Sequence, residues 1–311
     1  MKFLHLLESI RTPFLDSFFS LVTQLGELTV FLVIAVVILW CVDKKWAYRI
    51  IFAGLCSMGI NQSLKAVFKI PRPWLLDPSF NIVESAREAA TGYSFPSGHT
   101  QTAVTLFGCI AVWIKCKWTK ALCVVLLLLV GFSRLYLGVH TPLDVGVAAL
   151  IGLASVLTFA VMSKKSDSGS EKKMLTIMWI LVGVCTLLQM YTAFFLPKTA
   201  GSIEEFDLHA VENAYTMGGA IIALVISWVL DRKYIKYEVK AVWWAQIIKV
   251  AIGLALTVGV KSGLKAPISA LFDGHFIGDG IRYFLTVMMM GTIWPLTFKF
   301  WSKLGKKNQA E

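Results

Sequence analysis

Charged residues are scarce in this sequence, and their scarcity decides the class of protein. Only 16% of the 311 residues are Asp, Glu, Lys or Arg, whereas 57% are hydrophobic. The mean hydropathy of +0.68 far exceeds what a soluble chain of this length needs for its core. The composition therefore excludes a soluble globular protein and predicts an all-α, polytopic membrane helical bundle surrounded by membrane lipids.

Acidic residues are especially few: 19 Asp and Glu accompany 30 Lys and Arg, which gives a formal net charge of +11. The basic residues lie in short runs between apolar segments and form no continuous face, so no nucleic-acid partner is expected. By the positive-inside rule, the loops richest in Lys and Arg face the cytoplasm. These loops are residues 43–49, 115–120, 164–173, 232–236 and 299–307.

Cysteine patterns typical of redox or zinc sites are also missing. The six cysteines form no CxxC pair and no metal-ligand spacing, and they lie in apolar runs or at their ends. We therefore expect free, packed thiols. The first 20 residues are interrupted by Glu8, Arg11 and Asp16 and contain no small-residue cleavage site, so no cleaved signal peptide is expected.

Nine apolar runs are long enough to cross a bilayer. They cover residues 22–42, 46–68, 99–115, 119–138, 142–163, 174–196, 214–231, 242–262 and 281–302. Before them, residues 3–20 predict one amphipathic helix in the membrane interface. A polar run divides the chain into a front half (residues 1–163), a cytoplasmic linker (164–173) and a rear half (174–311).

Three polar clusters lie at the ends of these spans, on the face opposite the Lys-rich loops, where ionisable residues are functional candidates by default. In the first, Lys65 lies near the end of the second run and Arg72 just beyond it. Two cations there can bind a phosphate, with Arg as the bidentate partner. A snorkelling Lys with an interfacial Arg is the alternative, although Asn61-Gln62-Ser63 on the preceding turn indicates a polar cavity.

The second cluster, Ser97-Gly98-His99, opens the third run. Ser97 is a good helix N-cap, and a purely structural cap is the alternative to a functional role. The two interpretations are compatible. The N–H groups at a helix start bind phosphate, and His99 beside them is placed to protonate a leaving oxygen.

The third cluster contains Arg134, His140 and Asp144, at the end of the fourth run and the start of the fifth. Thr141, Pro142 and Asp144 fit a capping box, so Asp144 also has a structural alternative. Capping requires neither His140 nor Arg134, however. If Asp144 accepts a hydrogen bond from His140 Nδ1, it fixes the tautomer and leaves Nε2 exposed as a nucleophile.

Together the clusters resemble the signature motifs of the type-2 phosphatidic acid phosphatase superfamily, whose fold is shared with vanadium haloperoxidases. The matching stretches are Lys65-x6-Arg72-Pro73, Pro96-Ser97-Gly98-His99 and Ser133-Arg134-x5-His140-x3-Asp144. The resemblance covers residues 1–163 and implies that they form a six-helix catalytic core, followed here by additional C-terminal transmembrane helices.

The resemblance also implies a role for each cluster residue. It implies that Lys65, Arg72 and Arg134 hold the phosphate, assisted by Ser97 and the Gly98 amide. It further implies that His140 is the nucleophile, His99 the general acid and Asp144 the residue that orients His140. The implied reaction passes through a phosphohistidine without a metal or other cofactor, and these loops contain no carboxylate or Cys/His cluster of metal-site character.

The sequence is less specific about the roles of two regions. The aromatic and aliphatic residues of the loop at 74–95 either anchor it at the interface, which we favour, or line a path for a lipid tail. In the rear half, ordinary loop polarity explains the outer-face residues better than head-group contacts do; these residues are His209, Asp273, His275, Asp279 and Arg282. The rear spans are expected to supply packing surface, a dimer contact within a homo-oligomer, or one wall of the lipid path.

The sequence thus predicts a multi-pass plasma-membrane phosphatase with its active site on the extracytoplasmic side. Its expected substrate is a phosphorylated lipid, with undecaprenyl pyrophosphate, phosphatidic acid and phosphatidylglycerophosphate as the candidates that the resemblance implies. A lipid phosphotransferase with the same phosphohistidine is one alternative. A non-enzymatic anion transporter is another, but anion binding alone needs neither His99 nor the pairing of His140 with Asp144.

Overall fold

The computed structural model describes residues 1–163 and 204–304, together with residues 176, 177, 179, 180, 183, 184, 186–188, 190 and 191. Every regular element in these residues is helical, and no strand occurs among them. The all-α prediction is therefore confirmed. The predicted linker at 164–173 lies outside the described residues, as does much of the predicted span at 174–196.

The amino-terminal segment forms two helices, α1 (Lys2–Ser9) and α2 (Pro13–Gln24), so the prediction of one helix over residues 3–20 is wrong. The break has a local cause. Thr12 is the N-cap of α2, where its Oγ1 accepts a hydrogen bond from the Leu15 amide at 3.3 Å, and Pro13 begins the helix. Proline fits the first turn of a helix but disrupts an interior, so a new helix starts here.

The remaining helices of the front half follow the predicted apolar runs. α3 (Leu28–Val37) continues as a π-helical turn to Val42 and is inclined by 50° to α2. It is followed by α4 (Lys44–Phe68), the short α5 (Pro73–Leu76), α6 (Gly98–Trp113), α7 (Lys117–Tyr136) and α8 (Pro142–Ser163). α6 has only 16 residues and packs against α4, α7 and α8 inside the bundle.

The rear half adds α9 (Glu204–Leu230), α10 (Trp243–Gly263), α11 (Lys265–Leu271), α12 (Ile277–Met288) and, after irregular helical turns, α13 (Phe298–Trp301). α9 begins well before the predicted run at 214–231. Its first turn is acidic, with Glu204, Glu205 and Asp207, and acidic side chains stabilise the positive end of a helix dipole although they interrupt an apolar run.

By length and composition, five helices of the described residues can cross a membrane, or six if α2 and α3 form one bent span. The two halves share a single hydrophobic core. Phe31 and Trp40 of the front half lie in one buried cluster with Leu224 and Phe298 of the rear half. α9 and α12 approach so closely that a Cβ added at Gly219 would lie 2.0 Å from the Gly280 carbonyl oxygen, the kind of contact that small residues permit between membrane helices.

Two ion pairs fix α9 against α4. Lys44, at the start of α4, lies 2.9 Å from Asp231, just after the end of α9. At the opposite end, Lys69 follows α4 and lies 3.0 Å from Asp207 in the first turn of α9. The two helices are therefore antiparallel, and α9 starts beside the end of α4 that carries Lys65.

Candidate active site

The three clusters meet at one cavity of about 360 Å³. Its wall is formed where α4 and α7 end and where α6 begins. Six of the eight nominated residues line it: Lys65, Arg72, Gly98, His99, Arg134 and His140. Asp144 and Ser97 lie behind this wall and are buried. The structure thus brings together residues that are separated by up to 79 positions in the sequence, as the resemblance implies.

His140 faces the cavity through its Nε2 atom. Arg72 Nη1 lies 3.0 Å from this nitrogen. An arginine guanidinium has only donors, so Nε2 accepts the hydrogen bond and Nδ1 carries the ring proton. This is the tautomer that a nucleophilic Nε2 requires. Burial lowers the pKa of His140 well below its ordinary value of 6.5, and the positive charges of Arg72 and Arg134 lower it further, which favours the neutral, attacking form.

Asp144 is placed for both of the roles that the sequence leaves open. Its Oδ2 accepts the Thr141 amide at 2.7 Å, and its own amide donates to Thr141 Oγ1 at 3.3 Å, which completes the capping box of α8. The same Oδ2 lies 3.5 Å from His140 Nδ1, at the limit of a hydrogen bond. Asp144 therefore begins a helix and also faces the protonated side of the imidazole.

Ser94 joins this group without having been nominated. Its Oγ donates to Asp144 Oδ2 at 2.6 Å and lies 3.5 Å from His140 Nδ1. The serine hydroxyl is thus shared between carboxylate and imidazole. Nothing in the sequence pattern distinguishes Ser94 from other serines of the same loop, such as Ser79 and Ser85, because its importance depends on the loop's path.

Three buried cations lie around His140. Arg72 donates to the main-chain carbonyls of Thr91 at 2.7 Å and Gly92 at 2.9 Å. Lys65 donates to the carbonyl of Tyr93. Among the described residues, neither these two nor Arg134 has a carboxylate oxygen within ion-pair distance. Buried positive charges that are held by neutral dipoles favour an anion in the cavity between them.

Arg134 has the most unused hydrogen-bonding capacity. Its Nη1 donates to Thr23 Oγ1 of α2 at 2.7 Å, whereas its buried Nε and Nη2 atoms have no partner among the described residues. Buried polar groups are normally hydrogen-bonded, and two adjacent guanidinium donors match two oxygens of a phosphate. Thr23 is a second residue absent from the sequence prediction, because a lone Thr in an apolar helix carries no signal.

The start of α6 combines a cap with an open binding surface. Ser97 Oγ accepts from the Thr100 amide at 3.4 Å and from Thr100 Oγ1 at 2.9 Å, so the structural interpretation of Ser97 applies. Ser97 does not line the cavity, and its assistance to phosphate binding stays a prediction. Gly98 and His99 do line it, and His99 Nε2 is buried with no hydrogen-bond partner in the described part of the chain. A helix start here presents amides and an imidazole nitrogen to the same space.

Residues of the rear half line a second cavity beside this one. A smaller cavity of about 40 Å³ shares Gln62, Lys65 and Thr91 with the first, and His209 and Asn213 of α9 line its other side. The other nominated rear-half residues make contacts elsewhere. Arg282 lies 2.5 Å from Asp279, and His275 packs its ring edge-on against Tyr215. Of that group, only His209 lies near the site.

Comparisons with known proteins identify the family of this chain. The family model described as the PAP2 superfamily matches residues 28–168, and a second one, described as the PAP2 superfamily phosphatase transmembrane extension, matches residues 215–307. The chain is 29% identical over 164 residues to a probable sphingosine-1-phosphate phosphatase of Dictyostelium discoideum, which covers 49% of this chain and 39% of that protein.

It is also 28% identical over 130 residues to the putative undecaprenyl-diphosphatase YbjG of Escherichia coli, covering 40% of this chain and 63% of that protein. The chain thus spans less than two thirds of the length of both curated relatives. The crystal structure of LpxE from Aquifex aeolicus aligns with a TM-score of 0.45 and 31% identity, covering 51% of this chain and 92% of LpxE. Because the two family models together match more than half of its residues, the chain belongs to the PAP2 superfamily.

Proposed function

We propose that this protein is a membrane lipid phosphatase that hydrolyses a phosphomonoester or a pyrophosphate through a phosphohistidine at His140. One observation carries the proposal. His140 lines the cavity, and its Nε2 atom accepts a hydrogen bond from Arg72. The same cavity is lined by Arg72, Lys65 and Arg134, three cations without a carboxylate partner among the described residues. Such a cavity fits a phosphate anion next to a nucleophile.

The first chemical step begins from the hydrogen bond between Arg72 and His140. A phosphate oxygen takes the Arg72 hydrogen bond that His140 Nε2 now accepts, which frees the nitrogen lone pair. Nε2 then attacks phosphorus, and the bond from phosphorus to the leaving oxygen breaks as the N–P bond forms. The Nε2 atom of His99 has no hydrogen-bond partner among the described residues. In this step His99 gives its proton to the leaving oxygen.

The second step returns the enzyme to its starting state. Neutral His99 accepts a proton from a water molecule, the water oxygen attacks phosphorus, and the N–P bond breaks to release inorganic phosphate. Throughout both steps, Ser94 and Asp144 face the Nδ1 proton and stabilise the positive ring. The three cations and the start of α6 stabilise the charge on the five-coordinate phosphoryl group, which is the main catalytic term in phosphoryl transfer.

A lipid is the proposed substrate because the cavity lies at the ends of helices that can cross a membrane. The relatives support both substrate types, since one is named for a lipid phosphomonoester and the other for a lipid diphosphate. Undecaprenyl pyrophosphate, phosphatidic acid and phosphatidylglycerophosphate are the candidates. We place the site on the extracytoplasmic side of the plasma membrane, because the Lys-rich loops lie at the other ends of the helices.

The decisive experiment measures phosphate release by the purified full-length protein from a panel of phosphomonoester and polyprenyl pyrophosphate lipids in detergent micelles. A second measurement follows transfer of labelled phosphate to an added acceptor lipid. Release of inorganic phosphate that requires His140 supports the phosphatase. Labelled acceptor without inorganic phosphate would make the protein a phosphotransferase, and binding without either product would make it an anion-binding protein.

A further inference from the structure

One contact between the rear half and the catalytic half reaches the loop that carries Tyr93 and Ser94. Asp207, in the first turn of α9, accepts a hydrogen bond from the Tyr93 hydroxyl at 3.0 Å and lies 3.0 Å from Lys69. The Tyr93 ring packs edge-on against Phe206, the neighbour of Asp207. Tyr93 is almost completely buried, so its side chain is held by α9 on two sides.

The main chain at Tyr93 in turn holds two parts of the active site. The Tyr93 carbonyl accepts the hydrogen bond from the ammonium group of Lys65. The next residue is Ser94, whose hydroxyl lies between Asp144 and His140. A displacement of Tyr93 would therefore disturb both the contact of Lys65 and the position of Ser94.

Other contacts also hold this stretch in place. The Ser94 amide donates to the carbonyl of Ile70 at 2.8 Å, and the preceding carbonyls of Thr91 and Gly92 accept from Arg72. Residue 92 is a glycine with a φ of +65°, a conformation that glycine adopts readily. Through the Tyr93 side chain, Phe206 and Asp207 add contacts from the rear half to this loop.

We propose that Asp207 is a positioning residue for phosphate binding, which acts through Tyr93 to place Lys65 and Ser94 in the catalytic cavity. This inference rests on the proposed function and assigns part of the active-site architecture to the rear half. It distinguishes Asp207 from the other acidic residues of the same turn. Glu205 belongs to the same turn and carries the same charge, but it is exposed.

The test compares Asp207→Ala, Tyr93→Phe and their double variant in the full-length protein, with Glu205→Ala as the matched control. Tyr93→Phe removes only the hydroxyl and keeps both the ring and the carbonyl. Each single variant should lower kcat/KM and weaken the affinity for vanadate, a phosphate analogue, by about tenfold, the effect expected for one buried hydrogen bond. Glu205→Ala should change neither quantity.

The double variant provides a measurement that a general loss of stability would not mimic. If Asp207 acts through Tyr93, the double variant should be no more impaired than either single one, because the same link is broken only once. Asp207→Asn keeps an acceptor for the Tyr93 hydroxyl and should restore most of the vanadate affinity. Equal affinity and activity in the parent, Asp207→Ala and Tyr93→Phe would overturn the inference, as would losses that multiply in the double variant.

Vanadate binding also separates this inference from the proposed function. If the parent protein hydrolyses no lipid, the phosphatase proposal fails, and vanadate affinity alone decides the role of Asp207. Tenfold weaker vanadate binding in both single variants would then still support it. If the parent hydrolyses lipids but the variants match it, only the inference about Asp207 is overturned. Thermal melting of each variant in the same micelles confirms that it is folded.

Discussion

The hydroxyl of Ser94 donates to Oδ2 of Asp144 at 2.6 Å. This contact is much shorter than the 3.5 Å between that oxygen and His140 Nδ1. The carboxylate is thus bound most tightly by a serine, which itself reaches the imidazole. We therefore expect the orientation of His140 to depend on Ser94 as well as on Asp144.

This arrangement predicts graded losses when its members are changed. Asp144→Asn should retain weak activity, since it disturbs the tautomer and the orientation of His140 but leaves the attacking atom in place. Ser94→Ala should lower kcat by about tenfold, the effect expected for one hydrogen bond. Steady-state kinetics of both variants provide the measurement, with Ser79→Ala from the exposed part of the same loop as the control. A Ser94→Ala protein with the parental kcat would remove the serine from this group.

His140→Ala should abolish turnover, because no other side chain at the cavity is placed as a covalent nucleophile. A rapid-quench reaction with a labelled substrate should trap acid-labile phosphate on the parent protein and none on the variant. His275→Ala is the control, since His275 lies in the rear half, away from both cavities. Hydrolysis at the parental rate without His140 would refute the phosphohistidine mechanism.

The effect of His99→Ala should depend on the leaving group. A general acid contributes about a hundredfold or more when the leaving oxygen is a poor one. The variant should therefore be severely impaired on a lipid alkyl phosphate and much less on p-nitrophenyl phosphate, whose leaving group needs no protonation. Comparing kcat for both substrates is the measurement. An equal loss on both would assign His99 to binding rather than to proton transfer.

The reaction should proceed fully in EDTA. Lys65, Arg72 and Arg134 already place three positive charges at the cavity, and these can stabilise the developing charge on the phosphoryl group. Vanadate should inhibit, because it forms a five-coordinate analogue of that group. The assay measures phosphate release before and after chelation. Activity that is lost in EDTA and returns with an added divalent cation would contradict this prediction.

The chain offers a natural reporter for the side of the membrane on which the active site lies. Cys116 is exposed between Lys115 and Lys117, in a loop that is predicted to be cytoplasmic. Hydrogen bonding from Thr119 lowers the pKa of its thiol below the ordinary value of 9.0, which favours the reactive thiolate. Cys116 should resist a membrane-impermeant maleimide in intact cells and react after permeabilisation.

The matched reporter is Ser79→Cys in a background without the native cysteines. Ser79 is exposed in the loop beside the active site, so its cysteine should react in intact cells. The reverse labelling of the two positions would place the chemistry on the cytoplasmic side and favour cytosolic phospholipid intermediates as substrates.

Much of this site is predictable from sequence because its main residues have strong local signals. Lys65, Arg72, Arg134 and His140 are ionisable residues at the ends of apolar runs, where each is costly and therefore conspicuous. Their grouping in space is also predictable, because all of them lie at span ends on the side opposite the Lys-rich loops. The thiols were less predictable: Cys56, Cys109 and Cys123 are buried as expected, but Cys116 is exposed, so the expectation of packed thiols is wrong there.

Sequence reasoning missed the residues whose roles depend on tertiary contacts. Ser94, Thr23 and Tyr93 are ordinary residues in their local context, and each becomes important only because a distant segment meets it. The contact between Asp207 and Tyr93 is unpredictable from the sequence for a similar reason. Acidic residues in a loop-like stretch suggest solvent exposure, whereas this one begins a helix and faces a buried tyrosine.

The ion pairs Lys44–Asp231 and Lys69–Asp207 also place charged groups at a fixed separation along α4. They lie at opposite ends of α4, which has 25 residues and is therefore about 37 Å long. That length exceeds a hydrocarbon layer of about 30 Å, so both pairs lie in the polar interfaces of an ordinary bilayer. A thicker bilayer draws one pair into hydrocarbon, where its charges are costly. Because Asp207 belongs to the pair nearest the cavity, its proposed positioning role would make the geometry of the candidate active site sensitive to membrane thickness.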